Sequence, residues 1–213
     1  MLLLDVDVLI KCSCYRILSK IRRPAGTVDS VLGVARYVVR DRLERDSRVS
    51  DRTGARQYFE DYLQTIDTIE PTSAELELAA AIEFVAQRLS LDVDTGESQL
   101  FAVAVTRGSY LVLTGDKRAI GGAEQAMMEL QPLSELRGRL ICLEQIVGGI
   151  AAELGVNKTR LFVCAEPRVD IALSICFSCA ADPDIKIDMA GLKSYVDDLR
   201  GQAPIILYEA DFL

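Results

Sequence analysis

Two apolar runs that stop at aspartate constrain this chain most: Leu2-Leu3-Leu4-Asp5-Val6-Asp7 at its start, and Tyr110-Leu111-Val112-Leu113-Thr114-Gly115-Asp116 far downstream. Short apolar runs closed by a turn-like acid read as buried strands of a parallel sheet. Open α/β sheets bind ligands outside the carboxyl ends of their strands, so two such strands would deliver Asp5 and Asp116 to one edge. Carboxylates that meet there repel. A hard divalent cation, Mg²⁺ or Mn²⁺, relieves that repulsion and takes oxygen ligands.

The chain contains no histidine. Ser-His-Asp and Cys-His nucleophile systems are therefore excluded, as are His-ligated zinc and iron sites. Catalysis is left to carboxylate, lysine, thiol, hydroxyl and metal, and 32 acidic residues make carboxylate the abundant choice. At 213 residues and 50% hydrophobic, the chain suits one domain with an extension. The apolar start is interrupted at Asp5 and Asp7 and lacks a basic leader, and no later run approaches a membrane span. The expectation is a cytoplasmic protein with no membrane contact.

Six cysteines in such a chain read as reduced, buried small hydrophobes. A Cys₄ zinc site from Cys12, Cys14, Cys176 and Cys179 is disfavoured by the Cys-x-Cys spacing and by the i, i+3 placement of the second pair in an apolar segment.

Net charge is −8, but its distribution is uneven. Twelve Lys or Arg and five acids lie between Lys11 and Arg56, against twelve basic residues and 27 acids elsewhere. A basic stretch beside an acidic site is a footprint of phosphate binding, with Arg36, Arg40, Arg42, Arg45 and Lys117 as candidate contacts. The alternative is a solvated helix face laced with Asp41, Glu44, Asp46 and Asp51.

Strands are expected at Leu2 to Val6, Val28 to Val34, Tyr110 to Leu113 and Arg139 to Leu143. Helices are expected at Val8 to Ile21, ending before an Arg23-Pro24-Ala25-Gly26 turn, and at Ala35 to Arg48, Pro71 to Ser90, Thr95 to Arg107 and Lys117 to Leu130, with polar helical sequence from Arg52 to Asp67. Thr72 with Glu75, and Asp94 with Glu97, have capping-box spacing. Asp116 equally suits a turn or cap, and Asp41 an ion pair with Arg45. Gln145 to Leu154 reads as a helix ended by Gly155, Leu161 to Cys179 as apolar, and Met189 to Arg200 as an amphipathic helix.

Four segments together resemble the PIN-domain nucleases over roughly Met1 to Glu144. They are Leu4-Asp5-Val6-Asp7-Val8-Leu9-Ile10, Val38-Val39-Arg40-Asp41-Arg42-Leu43, Leu91-Asp92-Val93-Asp94-Thr95-Gly96-Glu97 and Leu113-Thr114-Gly115-Asp116-Lys117. The resemblance implies an α/β fold, a PIN-like three-layer sandwich with a central, mostly parallel sheet over residues 1–145; residues 146–213 lie outside it and read as a largely helical extension, cap or partner-binding segment. It implies a Mg²⁺- or Mn²⁺-dependent endoribonuclease acting on RNA, whose acidic cluster falls on Asp5, Asp41, Glu97 and Asp116. Asp7 is a further candidate metal ligand, where the family commonly has asparagine, and Glu44 is the alternative to Asp41. Many members are toxins held by an antitoxin, so a protein partner and a homodimer are further implications.

Two rivals remain. The opening also resembles the first motif of haloacid-dehalogenase-like phosphatases, with Asp5 as nucleophile, but no lysine lies between Ile21 and Asp116, and Ile120 stands where a further acid is wanted. The other rival is a PIN-like scaffold that binds RNA or protein without cutting.

Overall fold

The computed structural model describes residues 1–23, 27–108, 110–182, 185 and 187–209. The turn expected at Pro24-Ala25-Gly26 lies outside them. Among the described residues the strands are β1 (Leu2–Leu4), β2 (Asp29–Leu32), β3 (Asp67–Ile69), β4 (Leu111–Thr114) and β5 (Leu140–Cys142). They form one sheet in the order β3-β2-β1-β4-β5, every neighbouring pair parallel. The chain therefore builds outward from β1 in one direction, then returns to its other side for β4 and β5. That reversal places a topological switch point between β1 and β4, where Leu4 stands opposite Leu113.

Alternation along the strands separates two cores. Leu2, Leu4, Val31, Leu113 and Ile141 face one, and Leu3, Leu32, Val112, Leu140 and Cys142 the other. The first core is closed by α1 (Val6–Cys14), α2 (Ala35–Arg45), α3 (Arg52–Leu63) and α7 (Leu143–Leu154). The second is closed by α4 (Ser73–Leu89), α5 (Thr95–Arg107) and α6 (Lys117–Ala126). Burial on both faces explains why the strands read as continuous apolar runs, each Leu or Val contributing roughly 1.5–3 kcal/mol. The expected capping boxes form at both places: Thr72 with Glu75 starts α4, and Asp94 with Glu97 starts α5. β3 has no counterpart in the sequence reading.

Residues beyond α7 enter both cores. Val163 of α8 (Val156–Ala165) and Leu173 of α9 (Ile171–Cys176) join the first. Val196 and Leu199 of α10 (Ala190–Gln202) join the second with Ile206 and Leu207, and Leu207 pairs with Leu140 beside β5. Among the described residues no helix is long and apolar enough to cross a membrane.

The expectation of six reduced cysteines is corrected for two of them. Cys164 and Cys179 form a disulfide across 15 residues, while Cys12, Cys14, Cys142 and Cys176 are free and buried. A loop of that length is worth about 3 kcal/mol through the unfolded state.

Candidate functional site

Three helices begin at the carboxyl edge of the sheet beside the switch point, and each brings at least one acid there. Asp5 follows β1 and is the N-cap of α1, accepting the Val6 N–H at 2.6 Å. Asp116 follows β4 and caps α6, accepting from the backbone of Arg118 and Ala119. Glu97 sits in the first turn of α5, which runs back along β4, so its start faces the same edge. One oxygen of Glu97 closes the capping box on the Asp94 N–H at 2.8 Å.

Asp5, Asp7, Asp94, Glu97 and Asp116 line an open pocket of about 520 Å³ together with Lys11, Arg42, Lys117 and Arg118. Thr114 ties the first and last acids together. Its hydroxyl donates to Asp5 at 3.1 Å and accepts the Asp116 N–H at 3.2 Å. Gly115 is dictated by its neighbour, since a Cβ there would collide with the Asp7 carboxylate.

Burial drives the Asp5 carboxyl up to about 6, with the charge of Asp7 adding to the effect. Burial likewise pushes Glu97 up to about 8, and the charges of Asp94, Asp5 and Asp116 push the same way. Both acids carry the electrostatic cost of like charges with too little water between them.

Asp41 does not join them. It lies on the exposed side of α2, paired with Arg45 at 3.0 Å, and Glu44 pairs instead with Arg56. Both candidates for the second acid thus serve surface ion pairs. Asp94, which reads in sequence as a cap alone, is the acid found in the pocket beside Glu97. Asp7 lies at the pocket but is held by Lys11 at 2.7 Å.

The basic candidates separate in the same way. Arg40 makes a two-pronged pair with Glu60, Arg45 is taken by Asp41, and Arg36 lies over the Tyr37 ring. Lys117 binds the buried Glu144 at 2.6 Å and sits over Tyr195. Arg42 alone of the α2 arginines lines the pocket. Sequence reasoning missed Lys11, Thr114 and Glu144. The alternation that buries Thr114 in β4 was a usable signal; the others depend on tertiary contacts.

A second pocket of similar volume lies near the amino end of β2 among Arg23, Asp29, Tyr58 and Tyr62. Its polar groups are spent on one another: Arg23 grips Asp29 with two nitrogens, and Tyr62 donates to the same carboxylate.

Among the described residues, no three carboxylates or thiols stand close enough together to hold a metal ion as the side chains are placed. The donor chemistry nevertheless fits a hard cation. The lining side chains able to ligate a cation are carboxylates, with no thiol among them, and two of these, Asp5 and Glu97, are buried acids that a positive charge would return to the ionised form. No family model, curated protein or solved structure matches this chain.

Proposed function

We propose that this protein is a divalent-metal-dependent endoribonuclease of the PIN-like kind. The observation that carries the reading is the convergence of Asp5, Glu97 and Asp116, from three helix starts, on one open pocket at the switch point of a parallel sheet. The sequence resemblance supports it independently at the same three acids.

In this reading Asp5, Glu97 and Asp116 hold Mg²⁺ or Mn²⁺. The bound ion supplies an activated water and charge against the departing oxygen. Thr114 fixes the orientation of Asp5 by its hydrogen bond. Arg42, which lines the same pocket, neutralises a phosphate that flanks the bond to be cut. No side-chain nucleophile is required. Cytoplasmic location, and control by an antitoxin-like protein, belong to the same proposal.

The phosphatase reading gains one observation: Lys11 places an ammonium beside Asp7. It still lacks the acid at position 120, where Ile120 is fully buried. The decisive experiment incubates the protein with a panel of RNAs in chelator, Mg²⁺ or Mn²⁺, in ¹⁸O water. Cleavage is expected only with metal, with label in the product phosphate. Cleavage in chelator, or an acyl-phosphate trapped on Asp5, would overturn the proposal.

Arg42 provides a separate check on the substrate. Arg42→Gln is expected to weaken single-stranded RNA binding and to flatten its log-log salt dependence by about 0.7, the loss of one phosphate contact. Arg45→Gln, whose partner is Asp41, should leave the slope unchanged. Equal effects of both would place RNA on the whole of α2 rather than at the pocket.

A further inference from the structure

Beyond α8, Asp170 reaches one of the residues that line the pocket. Asp170 caps α9 by accepting the Leu173 N–H at 2.9 Å, and it also holds the Lys11 ammonium at 2.8 Å. The same ammonium lies 2.7 Å from Asp7. Only 16% of the Lys11 side chain and 13% of that of Asp170 meet solvent, so this is an enclosed ionic bridge and not a mobile surface pair. The Cys164–Cys179 disulfide closes the loop that carries Asp170, which restricts how far it can withdraw.

Asp7 is confined from two directions. Lys11 holds its charge, one helical turn along α1, and the backbone of Gly115 packs against its carboxylate. Without Lys11 the pocket would present a further unpaired carboxylate two residues from Asp5.

We infer that Lys11 and Asp170 are positioning residues of the acidic pocket: Asp170 fixes the Lys11 ammonium on Asp7, which withholds Asp7 as a ligand and leaves the cation to Asp5, Glu97 and Asp116. The inference rests on the metal-dependent reading above. It gives the C-terminal part of the chain a role in the site, because the carboxylate that sets the lysine comes from α9. A merely structural bridge and a positioning bridge differ in the sign of one quantity. Loss of a structural bridge weakens cation binding, whereas loss of this bridge releases a competing ligand and removes a repelling charge, so binding tightens.

The test is calorimetric titration of the full chain with Mn²⁺ alone, followed by RNA cleavage at saturating Mn²⁺. Lys11→Met is expected to bind Mn²⁺ about tenfold more tightly than wild type, the scale of removing one nearby charge from a partly solvated site. It should nevertheless cleave more slowly, because the cation is drawn toward Asp7. Lys11→Arg should restore wild-type affinity, and Asp7→Asn combined with Lys11→Met should abolish the gain. Asp170→Asn releases neither Asp7 nor the ammonium, so it should show no gain and bind Mn²⁺ somewhat less tightly than wild type. A folded Lys11→Met that binds Mn²⁺ no tighter than wild type overturns the inference; if that variant fails to fold, an unchanged affinity in the more polar Lys11→Gln does so. Wild type that binds without any gain in the variants defeats the inference alone, whereas the absence of Mn²⁺ binding from every protein defeats the nuclease reading with it.

Discussion

Asp5→Asn is expected to melt at a higher temperature than wild type in chelator at pH 7.5, while cleavage in Mn²⁺ falls by about a thousandfold or more. The two changes have one cause. Folding buries a carboxyl whose ordinary value of 3.8 rises to about 6. At pH 7.5 the native state must hold an ionised group that burial disfavours, at a cost of roughly 3 kcal/mol. Asparagine removes that charge and caps a helix as well as aspartate does. It loses the hydrogen bond from Thr114 to the second oxygen, worth about 1 kcal/mol. The net gain is about 2 kcal/mol, or roughly 4–8 °C for a chain of this size. The activity lost is transition-state stabilisation of several kcal/mol that a cation on Asp5 would provide. Asp116→Asn provides the comparison. Its cap on α6 survives the change, so stability should stay near wild type while cleavage is lost equally. Melting curves with cleavage assays on both variants decide the matter. An Asp5→Asn protein that is less stable and still cuts RNA would make Asp5 an ordinary cap.

The legible parts of this fold were those in which local chemistry and tertiary burial agree. β1 and β4 are short apolar runs that happen to be buried on both faces, and α5 opens with the capping box its sequence predicts. β3 was not legible, because an edge strand of three residues with two exposed side chains has no apolar run to read. Its neighbour β2 supplies the template instead.

Asp41 failed for a reason already present in the sequence. Ala35, Val39 and Leu43 are the buried residues of α2 and define its inward stripe. At about 100° per residue, Arg42 falls two turns after Ala35 on the flank of that stripe, whereas Asp41 points away. Helix phase was a better guide than the position implied by the resemblance. The bridge of Lys11 to Asp170 had no local signal, since its partners are far apart in sequence and neither occurs in a motif. The disulfide was obscured likewise: Cys179 read as the helical neighbour of Cys176, but its partner is Cys164. Cysteine connectivity is a tertiary fact.

Glu97 ties metal binding to pH with a definite sign. Its folded value of about 8 lies above the ordinary 4.5, so between these values the native state holds a proton that the unfolded chain has released. Metal-free stability must therefore fall as pH rises through this window and level off above about 8. A cation needs the ionised carboxylate, so its binding must displace that proton. Mn²⁺ affinity is expected to rise about tenfold per pH unit from roughly pH 6 to 8, with close to one proton released near pH 7. Calorimetry in buffers of different ionisation enthalpy measures that release directly. Glu97→Gln isolates the charge from the cap, because glutamine serves equally at the third position of a capping box. The variant should keep α5 intact, lose the fall in metal-free stability between about pH 6 and 8, where Asp5 no longer contributes, and bind Mn²⁺ weakly with little pH dependence there. If it instead binds Mn²⁺ as wild type does, with the same slope and the same proton release, Glu97 is a buried cap and the cation lies elsewhere.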